Sequence, residues 1–588
     1  MLGFFIFSLA GAACAHGTKN EIAKIVAPGY QALAYEPPAV GSYSLPHLGT
    51  AGDGPLLTEQ RKLSTLHQAL AGKITVLAFI YTQCDDVNGC PLASFVMGQV
   101  ARRLAAKPAL KNRFQLISYS FDVERDTPQA LAKYAESFRP PGVRWQFATA
   151  PEASALPATL SAYQQSVQES QGHAFSHILR VFLIDPELSI RNIYSTAFLH
   201  ADTLANDIET LQLASESFGS ESRSAITNPA GAAIEADLGL PKSNVAQASD
   251  EEITLGKRLF FDRRLSHNDT ISCAMCHIPA QGFTSQELAT AVGVEGRTVK
   301  RNAPTLLNIG FLETLFHDSR EDRLEQQVWS PLLAHNEMAN PSVGYVINKI
   351  MRDRGYAESF KALYGTGANM QNLGQALAAY QRSLIAGGSR FDRWYFGQDS
   401  TALNAQERSG FEIFTGKGRC NACHTVTGGD ALFTDQQLHN TGIGYRRSMG
   451  RIDGDRSVEI APGTTIEYNL AAVAEASEPP PNDLGRYEVT EDPADRWKFR
   501  TPTLRNIDVT FPYMHDGSLA TLDEVVAFYN QGGVPNELLD PLIEPLNLSA
   551  QEQQAITAFL RTLTSEHLGE IVQTAQDQPI GNPLGQLH

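Results

Sequence analysis

Residues 316–331 read FHDSREDRLEQQVWSP, and residues 514–529 read MHDGSLATLDEVVAFY, two versions of one segment 198 positions apart. Working outward at the same offset, NAPTLLNI (302–309) matches RTPTLRNI (500–507), and Leu324 matches Leu522, without a gap. A register kept over such a length is the mark of a duplicated half-domain. The copies differ at the end: Pro331 stands where its partner has Tyr529. A phenol oxygen can bind a metal and proline offers no donor, so equivalent places in two related pockets carry different chemistry.

Each half also contains a CxxCH string, Cys273-Ala-Met-Cys276-His277 and Cys420-Asn-Ala-Cys423-His424. Two thiols at this spacing attach a haem through thioethers, and the adjacent histidine reaches the iron. Zinc knuckles or a redox CxxC pair are the competing readings, but neither needs the following histidine twice. Cysteine usage supports haem: of seven cysteines, six fall in three close pairs, Cys84/Cys90 being the third, and Cys14 lies near the start. A disulfide framework would instead place even numbers of cysteines in a small domain.

The chain has 588 residues, too many for a single core, and a net charge of -17, which argues against a nucleic-acid surface. Residues 1–15, MLGFFIFSLAGAACA, read as an export signal cleaved after Ala-Cys-Ala, giving a periplasmic protein. Lipidation at Cys14 is the alternative, although Gly11 departs from a lipobox. From about 73 to 185 apolar runs such as KITVLAFIYTQC and ILRVFLID alternate with helical stretches such as TPQALAKYAESF, which predicts an α/β layer. Residues 215–237 are small and polar, a linker. Helical periodicity dominates from 238 to 570, and the Pro- and Asp-rich stretch 452–490 reads as a surface loop.

The segments LGKRLFFDRRLSHNDTISCAMCHIPAQGFTS, RNAPTLLNIGF, PLLAHNEMA and FRTPTLRNIDVTFPYMHDGSLATLDEVV resemble the bacterial di-haem cytochrome c peroxidase and MauG family over about 240–565. That resemblance implies a peroxidatic haem domain at 238–398 and an electron-transfer haem domain at 399–570. It implies that the His277 haem is open to peroxide beside Pro331, Glu337 and Gln327, with Tyr529 as distal ligand of the His424 haem. No histidine lies between His277 and His317, so the mobile blocking ligand of many relatives has no counterpart. The resemblance further implies calcium at Asn302, Thr510 and Pro512. Oxidising equivalents would be shared between the haems and spent on cytochrome c, a cupredoxin or a protein side chain. Met514 is expected in the core, His335 in solvent, and His439 near the second haem in a structural role. Where the family reads FWDGR this chain reads FHDSR, so His317 replaces the inter-haem tryptophan.

FIYTQCDDVNGCPLAS, SYSFDVERDTPQALAKYAESF and FSHILRVFLIDPE resemble the SCO/SenC family of thioredoxin-fold copper proteins over about 50–210. With domain bounds of 50–214, the resemblance implies copper at Cys84, Cys90 and His177, with His173 as a possible substitute. Five residues separate the two cysteines rather than the usual three, and a structural disulfide is the alternative. The expected architecture is therefore a thioredoxin-like α/β domain followed by a mainly helical pair of c-type cytochrome domains. The expected activity is that of a di-haem peroxidase, and the competing reading is a non-enzymatic copper chaperone or redox relay.

Overall fold

The computed structural model describes residues 27–33, 39–41, 45–84, 89–105, 107, 110, 112–163, 165, 167–169, 175–177, 180–195, 199–215, 238–242, 248–448, 455–461, 464–469, 483–490 and 492–581. The expected export signal with Cys14, the linker from 216 onward, and His173 lie outside the described residues, as does the side chain of His177.

The N-terminal part is an eight-stranded mixed sheet. Its strands are β1 (Gly49–Thr50), β2 (Pro55–Thr58), β3 (Leu63–Thr65), β4 (Ile74–Ile80), β5 (Phe114–Ser120), β6 (Trp145–Thr149), β9 (Arg180–Ile184) and β10 (Ser189–Ser195), and β7 (Val167–Glu169) and β8 (Phe175–His177) form a separate hairpin. Spatial order is β1-β10-β9-β4-β5-β6-β2-β3. β4, β5 and β6 run parallel, joined by crossovers that contain the helices Cys90–Ala105 and Pro128–Phe138. Every residue of β4 and of β5 is buried, which is why β4 reads ITVLAFI, a nearly continuous apolar run, while the polar Gln115, Ser118 and Ser120 of β5 are buried with it. Pro128 opens its helix behind a Thr127 cap, where a missing N–H costs nothing.

From residue 250 onward helices dominate, and the duplication seen in the text governs the backbone. Asn308 and Asn506 both adopt left-handed conformations, followed by Phe316 and Met514, then Ser319 and Gly517, each pair 198 residues apart. The isolated bridges Leu315–Glu321 and Tyr513–Leu519 repeat in the same register. The strained asparagines are held because their side chains close backbone gaps. Both donate to the carbonyl of Ala386, at 3.1 and 3.4 Å, placing that carbonyl between the halves. Each half also packs one helix pair at a glycine. Helix Asp250–Phe260 crosses Met370–Arg382 at Gly256, and Ala405–Thr415 crosses Ala550–Arg561 at Gly410. A Cβ at either glycine would lie 1.8 or 2.0 Å from a carbonyl oxygen of the facing helix, so only glycine permits the approach.

One hydrophobic core runs from the sheet (Val76, Leu77, Phe182) into the first CxxCH half (Leu259, Phe360, Leu377), while Phe391, Phe414, Phe433 and Phe559 centre a second. The sheet is also tied to the first half by polar contacts. Arg180 lies 3.8 Å from the buried Glu321 carboxylate and donates to Gln326 at 3.4 Å, and the Gly344 amide donates to Asn192 at 3.1 Å.

Part of the stretch 452–490, expected as a surface loop, has regular structure. It contains a hairpin, Asp455–Ala461 with Thr464–Asn469, and a short helix, Tyr487–Thr490, preceded by the fully buried Asp483. One of its acidic residues, Asp483, is drawn inward by Arg301, which holds it through two bonds of 2.7 and 2.8 Å.

Candidate functional site: two cavities on one repeat

Each CxxCH string forms a 3-10 turn, Cys273–Met275 or Cys420–Ala422, with the histidine amide bonded back to the first cysteine carbonyl. The turn directs both sulfurs and the imidazole toward one cavity. Nδ1 of His277 donates to the Phe283 carbonyl at 3.1 Å, and Nδ1 of His424 to the Phe433 carbonyl at 2.9 Å. Such a bond fixes the tautomer and leaves Nε2 unprotonated and aimed at the cavity. Burial lowers the pKa of both imidazoles, keeping them neutral and ready to bind iron. Burial also pushes Cys273 and Cys420 up to about 12, so both are thiols, the form that adds to a haem vinyl group.

The first cavity, about 310 Å³, is lined by Cys273, Cys276 and His277 and by the distal candidates Gln327, Pro331 and Glu337. The second, about 270 Å³, is lined by Cys420, Cys423, His424 and Tyr529. The structure thus brings together residues that are 50 to 110 positions apart in the chain. Pro331 sits in the short helix Trp329–Leu333, and Tyr529 near the end of the helix Leu522–Asn530. Burial raises the Tyr529 pKa, and the neighbouring Cys423 and Cys420 sulfurs add to the effect. Glu337 is likewise held above the usual carboxylate range by burial, with Arg320 offsetting part of the shift. His335 is exposed, as expected. Met514 is not in the core but on the second cavity wall, the counterpart of Phe316 in the first, because its left-handed backbone turns it inward.

Between the cavities the halves exchange reciprocal bonds. The Asn302 amide donates to the His515 carbonyl and the Arg500 amide to the His317 carbonyl, both at 2.7 Å. The residues 302/500 and 317/515 are equivalent under the repeat, so this is a local pseudo-twofold axis. His317 lines both cavities and donates through Nε2 to the Asn302 carbonyl at 3.0 Å. His515 stacks on Phe499 with centroids 3.5 Å apart, and its buried Nε2 has no hydrogen-bond partner among the described residues. Burial lowers His317 to about 4 and His515 well below its ordinary value, so both are neutral. The calcium candidates Asn302, Thr510 and Pro512 line the second cavity together.

Several residues here carried no signal in the sequence. Arg301, Lys300, Arg320 and Glu488 line the first cavity, and Arg301 bonds Asp318 at 2.6 Å as well as Asp483. Single charges in loops show nothing until the fold pairs them. The cations Lys300 and Arg320 suit the propionate carboxylates of a haem. His439, expected near the second haem, sits between Asp435 at 2.9 Å and Asp540 at 2.7 Å. The Cys423 sulfur, Asp540 and Asp435 hold its pKa up to about 10, and the carboxylates remain once Cys423 is a thioether. It therefore clamps Asp435, on the loop that follows His424, to Asp540.

In the sheet part, Cys84 and Cys90 bracket Tyr81: the Cys84 amide donates to the Tyr81 carbonyl, and the Tyr81 amide to Cys90 Sγ at 3.4 Å. Both are thiols, so no disulfide joins them in this structure.

The chain is similar to known proteins in two separate parts. Residues 250–400 match the model of the di-haem cytochrome c peroxidases, and residues 56–212 match that of SCO1/SenC. A cytochrome-c peroxidase of Denitromonas iodatirespirans is 34% identical over 343 residues, 58% of this chain and 88% of its own length. The methylamine utilization protein MauG of Methylorubrum extorquens is 34% identical over 328 residues, 55% of this chain and 81% of its own. Among solved structures, a MauG-like protein associated with microbial copper homeostasis is 30% identical, covering 58% of this chain and 97% of its own, with a TM-score of 0.48. With two CxxCH turns, each facing its own cavity with a fixed imidazole, and relatives matched over most of their length, the chain belongs to the di-haem cytochrome c peroxidase and MauG family of oxidoreductases, joined to an SCO1/SenC part that precedes it.

Proposed function

We propose that the protein reduces hydrogen peroxide at the His277 site and shares the oxidising equivalents with the His424 site. The carrying observation is the asymmetry of two cavities built on one repeat, Pro331 lining the first and Tyr529 the second. Bound in these cavities, two c-type haems supply redox-active iron. Cys273, Cys276 and His277 would hold one, and Cys420, Cys423, His424 and Tyr529 the other. Pro331 offers no ligand and leaves room for peroxide. Glu337 takes the peroxide proton from one oxygen and returns it to the other, which helps the O–O bond to break unevenly. The Gln327 amide orients the substrate, and Arg320 limits the cost of ionising Glu337 within the cavity. His317, common to both cavity walls, is the inter-haem group. A neutral imidazole is hard to oxidise, so it acts as a hydrogen-bonded bridge rather than as a radical site.

Calcium at Asn302, Thr510 and Pro512 would rigidify the second cavity, oxygen donors suiting that hard cation. Copper at Cys84, Cys90 and His177 fits the softness of thiolate and imidazole. Electrons come from a cytochrome, a cupredoxin or a protein side chain, and the reading places the chain in the periplasm. No helix of the described residues is long and apolar enough to cross a membrane.

The test is the resting ferric spectrum of the holoprotein. One high-spin and one low-spin centre are expected, and two low-spin centres would overturn an open first site. Tyr529→Phe should convert the low-spin signal and raise the second potential by on the order of 100 mV, within the roughly 0.8 V that axial ligation spans. An unchanged low-spin signal would remove Tyr529 from the ligand set.

A further inference from the structure

The function above leaves open where oxidising equivalents leave the protein, and the wall of the second cavity points to an answer. Phe499 lines that cavity and stacks on His515. Two residues before it stands the buried Trp497, whose backbone takes the left-handed conformation at φ +62°. A bulky side chain rarely accepts that region, and such strain persists only where the surroundings over-determine it. Here the Trp497 amide donates to the Leu484 carbonyl at 2.8 Å, and the indole Nε1 donates to Ser448 Oγ at 3.0 Å. The Gly444 backbone fits against both rings at once: a Cβ placed there would lie 2.8 Å from Phe499 Cε2 and 3.3 Å from Trp497 Cδ1. The indole is therefore the next ring outward from the cavity wall. Tyr445, on the helix Ile443–Ser448, meets that indole edge to face with centroids 5.0 Å apart, and it is partly exposed to solvent.

Resting on the peroxidase reading, we propose that Trp497 and Tyr445 form the exit through which oxidising equivalents pass from the His424 site to a one-electron donor at the surface. Hydrogen peroxide is the oxidant: each molecule takes two electrons, and two protons from solvent, and leaves as two waters. For each equivalent Trp497 gives one electron to the His424 site across Phe499 and keeps its N–H proton, held by Ser448. Tyr445 then restores that electron to Trp497, and its O–H bond breaks as the proton goes to solvent. The external donor returns one electron to Tyr445 and solvent returns the proton, so the pair is reset twice per peroxide. Phe499 is too hard to oxidise to hold the charge and serves only as a bridge. Tyr513 also lines the cavity, but its hydroxyl donates to the Ile507 carbonyl at 3.0 Å, an acceptor that cannot take the proton. A donor too large to enter either cavity is thus oxidised at Tyr445 rather than at iron.

The experiment mixes full-length holoprotein with one equivalent of peroxide, freezes it within the first turnover and reads the organic-radical EPR signal. In the unmutated protein, ring-deuterated tryptophan or tyrosine is expected to narrow that signal. Trp497→Phe, with haem content and resting spectrum equal to the parent's, is expected to lower at least tenfold both the radical yield and the steady-state oxidation of ABTS, a bulky one-electron donor, while peroxide is still consumed in the first turnover. Tyr445→Phe should keep a radical that only indole deuteration narrows. A radical yield in Trp497→Phe within twofold of the parent's would overturn the proposal. Should that variant not fold, the labelled parent decides: a signal that neither deuterated ring narrows overturns it. Peroxide consumption by the parent without any organic radical would overturn it while leaving the peroxidase reading standing. No peroxide consumption by the parent would overturn both.

Discussion

Glu337→Gln is expected to lower peroxide turnover by about 10²- to 10⁴-fold, the range that a positioned proton-transfer group contributes. Glutamine keeps the size and polarity of the side chain but cannot accept the peroxide proton. The loss should therefore appear in kcat/KM for peroxide and leave haem content and the resting spectrum as they were. The pH profile gives a sharper check. Burial raises the Glu337 pKa, and only the ionised carboxylate is a base. Activity should accordingly fall as pH drops through that raised value, above the ordinary carboxylate range, and Glu337→Gln should lose this acid limb. The sign for stability is opposite. A carboxyl whose folded pKa is raised contributes stability at low pH that is lost as pH rises through the folded value. At neutral pH the substitution should thus leave the fold intact or firmer while activity collapses. A variant that kept turnover within threefold of the parent would remove Glu337 from the chemistry.

Asp392→Ala is expected to destabilise the protein by about 3–5 kcal/mol, the cost of stripping one partner from a buried ion pair. Arg505 meets Asp392 through two bonds of 2.6 and 2.9 Å, with side-chain exposures of 1% and 0%. The same guanidinium donates to the Gly239 and Ala431 carbonyls, at 2.6 and 2.8 Å, so it joins the start of the haem region, the helix Arg390–Tyr395 and the loop after His424. Without Asp392 it remains buried with its charge uncompensated. Asp392→Leu combined with Arg505→Met should recover only part of the loss, because the orphaned charge is removed but the Gly239 and Ala431 carbonyls and the Ser389 amide lose their partners. Thermal and denaturant unfolding of the holoprotein measure both. A single variant that lost under 1 kcal/mol would show that the guanidinium finds another partner or water.

Much of the haem region was legible in the text because its signals are local or repeat in register. CxxCH needs one turn, and that turn forms at both sites. The offset of 198 residues survived because the backbone of each half needs left-handed residues at the same places, which few side chains accept. Strands β4 and β9 were legible from the apolar runs ITVLAFI and VFLI, since central strands are buried on both faces, whereas β5 carries Gln115, Ser118 and Ser120 among its apolar residues. Asp483, at the end of the acidic segment 452–490, misled, because it looks solvated until Arg301 is placed beside it. Met514 misled for a related reason. Its position on a cavity wall depends on a backbone angle that no hydrophobicity pattern records.

By itself the sequence determined two haem-attachment turns, a duplicated scaffold with Pro331 and Tyr529 at matching places, and an α/β part bearing Cys84 and Cys90. Covalent spacing and periodic burial act over a few residues, and a gapless repeat carries them across the chain. Only the tertiary structure decided the rest: His317 on both cavity walls, His515 stacked on Phe499, Asp483 and Asp318 holding Arg301, and β8 packed on the helix that carries Glu488. These depend on charges and rings from distant segments meeting in a dry interior, where pairing is strong and the partner is not written beside the residue.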